Sequence, residues 1–145
     1  MRFSHPQLRP LPIVLALQAV FALPVYAADF TIGSGVTNTT AQSLTANNGV
    51  VQQGGTLATS GTAVAVTVNA GTSTINNSGT ISQTGSTFAI DANTAATTLT
   101  INNNVGALIN AAGNVTIRIN KATDGFVINN QGTICLLYTS PSPRD

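Results

Sequence analysis

The sequence predicts an all-β fold: a right-handed parallel β-helix of about 24–27 residues per coil, with three short strands in each. Three observations predict it. A glycine-led cassette recurs at Gly55-Thr56-Leu57, Gly79-Thr80-Ile81, Gly106-Ala107-Leu108 and Gly132-Thr133-Ile134, at spacings of 24, 27 and 26 residues. Between cassettes the chain alternates apolar and polar residues, the signature of strands with one buried face. An apolar-Asn-Asn run precedes the later cassettes, at Ile75-Asn76-Asn77, Ile101-Asn102-Asn103 and Ile128-Asn129-Asn130. A strand-type pattern with a period in the twenties marks a solenoid, because each repeat can bury its apolar face only against its neighbours.

The ends of the chain differ from this body. Met1–Pro10 carries Arg2, His5 and Arg9, an apolar run follows from Leu11 to Leu23, and Val25-Tyr26-Ala27 closes it with small residues. That order reads as a secretory signal peptide, residues 1–27, cleaved after Ala27. The apolar run is too short for the roughly 20 residues that span a bilayer, and Pro12 and Gln18 interrupt it. At the other end the repeat pattern stops. Cys135–Asp145 resembles, at all eleven residues, the conceptual translation of a transposase-based sequencing adapter. Residues 135–145 are therefore read as a library artefact fused to an interrupted gene, and the native chain is expected to be longer. A solenoid cut after Ile134 would leave open strand edges.

The elements follow in order. Residues 28–54 are expected to form an N-terminal cap and a first, irregular coil, with Ile32, Leu44 and Val51 pointing inward. The β-helix coils proper occupy residues 55–134. In each, the cassette strand is followed by an alternating segment, at Val64-Ala65-Val66-Thr67-Val68, Phe88-Ala89-Ile90-Asp91-Ala92 and Val115-Thr116-Ile117-Arg118-Ile119. A third strand, around Ser73-Thr74-Ile75, Leu99-Thr100-Ile101 and Phe126-Val127-Ile128, closes the coil. Equivalent strands of successive coils then stack about 4.8 Å apart in parallel. Three inward ladders are expected: Leu57, Ile81, Leu108 and Ile134; Val64, Phe88 and Val115; and Ile75, Ile101 and Ile128. Asn76, Asn102 and Asn129 share a register and can hydrogen-bond along the axis, as amide ladders do in cross-β stacks. Asp91 and Arg118 should be neighbours on adjacent coils, as an exposed ion pair.

Composition excludes several function classes. Between Ala28 and Ile134 the charged residues are Asp29, Asp91, Arg118, Lys121 and Asp124, two basic and three acidic, for a net charge of −1. With no basic patch, no nucleic acid is expected as a partner. The low charge does not signal disorder, because Val, Ile and Thr recur at regular spacing. The only Cys lies in the adapter-like tail and the only His in the signal peptide, and the segment contains no Glu. Thiolate chemistry, disulfides, cysteine-based metal sites and a Ser-His-Asp arrangement are thereby excluded. Glycoside hydrolysis would need two of Asp29, Asp91 and Asp124 to converge, and their different places in the repeat read as solvated carboxylates. Calcium-binding nonapeptides of the Gly-Gly-x-Gly-x-Asp type are absent, and Gly33-Ser34-Gly35 reads as a turn rather than a phosphate loop. The expectation is a non-enzyme with no catalytic, cofactor-binding or metal residues. Thr72-Ser73-Thr74 and Thr98-Leu99-Thr100 align on consecutive coils, but the array stops at Gly125 and Val127 and reflects the strand propensity of Thr. The Asn-x-Ser/Thr triplets at Asn38, Asn76 and Asn114 read as compositional.

Taken together, the leader, the cysteine-free Thr/Asn/Gly-rich body and the repeated Ile-Asn-Asn-x-Gly-Thr-Ile units resemble the passenger of a bacterial autotransporter, the type V secretion family. Ile75–Ile81 and Ile128–Ile134 carry the resemblance most clearly, with Ile101–Leu108 a looser copy, and it covers about Ala28–Ile134. The resemblance implies a β-helix displayed at the cell surface and exported through the periplasm by a C-terminal outer-membrane translocation barrel. It also implies an adhesin-like role toward a surface receptor or a neighbouring cell. A filamentous adhesin secreted by a separate pore protein is an alternative. So is a β-helical polysaccharide-degrading enzyme whose catalytic residues lie downstream.

Overall fold

The computed structural model describes residues 28–92, 97–119 and 123–135. Residues 1–27, read above as a signal peptide, the tail after Cys135 and Lys121 lie outside the described residues. Among the described residues all regular structure is β, in parallel strands stacked as a solenoid. The strands are β1 (Ala28–Ile32), β2 (Thr37–Asn38), β3 (Gln42–Thr45), β4 (Asn48–Val51), β5 (Thr56–Thr59), β6 (Val66–Asn77), β7 (Thr80–Gln83), β8 (Ile90–Ala92), β9 (Thr97–Asn103), β10 (Leu108–Ala111), β11 (Ile117–Ile119), β12 (Thr123–Asn130) and β13 (Thr133–Cys135).

Pairing sorts them into three faces. The first stacks β1, β4, the second half of β6, β9 and β12. The second stacks β2, β5, β7, β10 and β13. The third stacks β3, the first half of β6, β8 and β11. β6 serves two faces because its coil passes from the third face to the first without interruption, so the second and third strands expected there are one 12-residue strand. The first coil is already in register with the next, with Thr37 opposite Thr56, Gln42 opposite Val66 and Asn48 opposite Thr74. Ile32, Leu44 and Val51 are buried, as their spacing indicated.

The core is a set of side-chain columns along the axis. Ile75, Ile101 and Ile128 stack directly, with Ile75 and Ile101 fully buried. Below them, Gly49 occupies the same column and the Phe30 ring fills the space its side chain would need.

Two expected columns are corrected. In the cassette column, Leu57 and Ile81 are followed by Ile109 and then Ile134, while Leu108 pairs with Thr80 and Thr133 on the outer side. The corner before β10 carries one residue more than the glycine alignment assumed. Ala107, not Gly106, occupies the place of Gly55, Gly79 and Gly132, so every side chain after it moves by one position. In the second column the inward residues are Val66, Ile90 and Ile117 rather than Val64, Phe88 and Val115. Val64, Phe88 and Val115 lie two residues before β6, β8 and β11, ahead of a bend at Ala65, Ala89 and Thr116, so the alternation of the strand does not carry back to them. Val115 is left 46% exposed.

Candidate functional surface

The corner between the first and second faces carries two ladders of side-chain hydrogen bonds. Here β6, β9 and β12 each end in an Asn-Asn pair. The outer amides form the expected ladder, with Asn102 Nδ2 donating to Asn76 Oδ1 at 2.7 Å and Asn129 Nδ2 to Asn102 Oδ1 at 2.8 Å. A second ladder runs inside it. Asn77 Nδ2 donates to Asn103 Oδ1, and Asn103 Nδ2 to Asn130 Oδ1, each at 2.8 Å. Asn77 and Asn103 are fully buried. Their amides also hold the turn, since Asn77 Oδ1 accepts Gly79 N–H at 3.2 Å, and Nδ2 of Asn77 and of Asn103 donates to the carbonyls of Leu108 and Thr133. The doubled Asn carried this signal, because on a strand two adjacent residues point to opposite sides.

The corners differ in length, and this shapes the surface. Residues 52–55 and 104–107 form long corners, whereas only Ser78 and Gly79 join β6 to β7. Each long corner closes with a turn, Gly55 N–H to Gln52 O at 2.8 Å and Ala107 N–H to Asn104 O at 3.0 Å. Their third residues, Gly54 and Gly106, have φ of 75° and 77°, the left-handed conformation that glycine adopts without strain. The short corner lies between the two long ones. A Cβ on Gly79 would sit 2.2 Å from Gly55 O, so the floor of this gap approaches the coil below too closely for any side chain. The result is a notch of about 240 Å³, floored by Ser78, Gly79 and Thr80 and walled by Gln53-Gly54 and Val105-Gly106. It opens into a shallow trough of about 510 Å³ along the first-face side, lined by Val50, Gln52, Asn76, Asn104 and Gln131 among others.

On the third face Asp91 and Arg118 are opposite each other, as their repeat positions indicated. Arg118 Nε donates to Asp91 Oδ1 at 2.8 Å and a terminal guanidinium nitrogen to Oδ2 at 2.6 Å, a two-pronged pair. The expected exposure is corrected for the carboxylate. Asp91 is only 6% exposed, because the guanidinium lies across it and also stacks 4.0 Å from the Phe88 ring centre. The hydrogen bond to Asp91 raises the pKa of Arg118 above its ordinary value.

The three aspartates lie on three different strands. Asp91 is on β8 of the third face, whereas Asp29 and Asp124 lie on β1 and β12, at opposite ends of the first face. Among the described residues there is no group of three or more potential metal-ligating side chains. The threonine rows pair as read, Thr72 with Thr98 and Thr74 with Thr100, ending at Gly125 and Val127. Asn38, Asn76 and Asn114 all take part in local hydrogen bonding, Asn38 to Thr40 N–H, Asn76 in the outer ladder and Asn114 to Ser86 O. No family model, curated protein or solved structure matches the chain.

Proposed function

We propose that this chain is a surface-displayed, non-catalytic β-helical stalk of the autotransporter-passenger type, with an adhesin-like role. The observation that carries the reading is the coil stack itself. Its interior is closed by aliphatic columns and a buried amide ladder, and its chemistry is displayed outward along the axis as repeated uncharged polar side chains. Such a surface suits many weak, repeated contacts, which gain strength through multivalency rather than through one deep site. Coil-by-coil stacking also suits export, because each coil needs only its neighbour in order to fold. On this reading the partners are an outer-membrane translocation barrel and a receptor or neighbouring cell.

The test is display of the chain on Gram-negative cells through a heterologous outer-membrane barrel, with the barrel alone as control. Faster settling of the cell suspension, or increased adherence to host-cell monolayers, is the expected outcome. Settling and adherence indistinguishable from the barrel-only cells would sink the proposal.

A further inference from the structure

We infer that the notch over Ser78-Gly79-Thr80 is a binding site for a neutral, hydroxyl-rich ligand, namely a sugar ring of an uncharged glycan. The inference rests on the adhesin-like reading and supplies its ligand class. The two long corners that wall the notch are separated by two coil spacings, about 10 Å between strands. The gap left between them is one coil wide, the room for a single ring or a single extended chain.

The lining decides the chemistry. In the notch Gln53 brings an amide and Thr56, Ser78 and Thr80 bring hydroxyls, and in the adjoining trough Asn76 adds a further amide; all of these groups both donate and accept hydrogen bonds. Ser78 Oγ is held in place by Asn104 Nδ2 at 2.8 Å. Val105, 79% exposed, offers an apolar rim against which the C–H face of a sugar can rest. Among the described residues no charged side chain lines either hollow, so an anionic ligand finds no counter-charge. A peptide strand cannot add here through its backbone, because β7 beneath the notch is already paired with β5 on one side and β10 on the other. Recognition must therefore run through side-chain amides and hydroxyls, and a neutral sugar matches them.

The test is titration of the ¹⁵N- and methyl-labelled full chain with cellohexaose, maltohexaose and mannohexaose, with a heparin hexasaccharide as the charged control. At least one neutral sugar is expected to shift the Gln53 side-chain amide, the Ser78 and Thr80 backbone amides and the Val105 methyls, at millimolar concentration. Gln53→Ala and Val105→Asp, both at exposed corner positions, are expected to weaken binding about 2–10-fold each while leaving the rest of the spectrum unchanged. The proposal is overturned if no neutral sugar moves these resonances, if shifts scatter over all three faces, or if heparin binds as well as the neutral sugars. Cells that clump without any sugar response would overturn the ligand class alone. A sugar response without adhesion would instead overturn the adhesin-like reading.

Discussion

Asn77 and Asn103, one coil apart, share a hydrogen bond of 2.8 Å between fully buried side-chain amides, and that contact orders the corner around it. A buried amide left without partners is costly, so each member of this column depends on the next. Asn103→Ala should destabilise the fold by about 1–3 kcal/mol, since it strips partners from Asn77, Asn130 and the Thr133 carbonyl together. Asn102→Ala, in the more exposed outer ladder, should cost only about 0.5–1 kcal/mol. Urea denaturation of the two variants compares them directly, and equal losses would mean that the inner column has no special weight.

The floor of the notch sets a steric limit. Gly79→Ala places a Cβ against Gly55 O and should destabilise by about 1–3 kcal/mol or more. Ala107→Gly, at the equivalent place one coil further on, should cost only about 0.5–1 kcal/mol through backbone entropy. Thermal melts followed by circular dichroism would show the asymmetry, and a Gly79→Ala variant as stable as the parent would contradict the close approach.

Register at β10 separates two adjacent residues. Ile109 is fully buried in line with Ile81 and Ile134, so Ile109→Ala should cost about 2–5 kcal/mol. Leu108 stands on the outer side in a row otherwise made of Thr56, Thr80 and Thr133, and Leu108→Thr should change stability by less than about 0.5 kcal/mol. If Leu108→Thr proves the more damaging of the two, the cassette spacing read from glycine alone is the correct register.

Arg118→Gln removes the counter-charge from a carboxylate that is 6% exposed, and a lower melting temperature is expected. Arg118→Lys should recover only part of the loss, because an ammonium cannot make the two-pronged contact. The pH dependence follows from the direction of the shift. The folded state raises the pKa of Arg118, so its contribution is fully present below the unfolded value and is lost only as pH rises through the still higher folded value. The difference in melting temperature between parent and Arg118→Gln should therefore stay level from about pH 7 to pH 10. A steady decline over that range would show that another group controls it.

The repeat was legible because solenoid packing imposes one requirement per coil. Ile75, Ile101 and Ile128 must meet, and their spacing says so; the outer Asn ladder and the pairing of Asp91 with Arg118 follow from the same period. Burial of Ile32, Leu44 and Val51 was equally readable from alternation.

What the sequence determined by itself is thus the class of fold, the period, and the columns at Ile75, Ile101 and Ile128 and at Asn76, Asn102 and Asn129, because stacking in parallel register converts equal spacing into contact. Corner geometry was decided by the tertiary structure alone. Whether Gly106 or Ala107 is the equivalent of Gly79 depends on how many residues the turn absorbs, and that depends on the positive φ of Gly106 and on the backbone of the coil beneath. The same local geometry turns Val64, Phe88 and Val115 out of the core columns and lays Arg118 over Asp91. It also opens the notch above Ser78, where a short corner falls between two long ones. Periodicity sees columns, but the length of a corner is set by contacts between coils, which no single repeat contains.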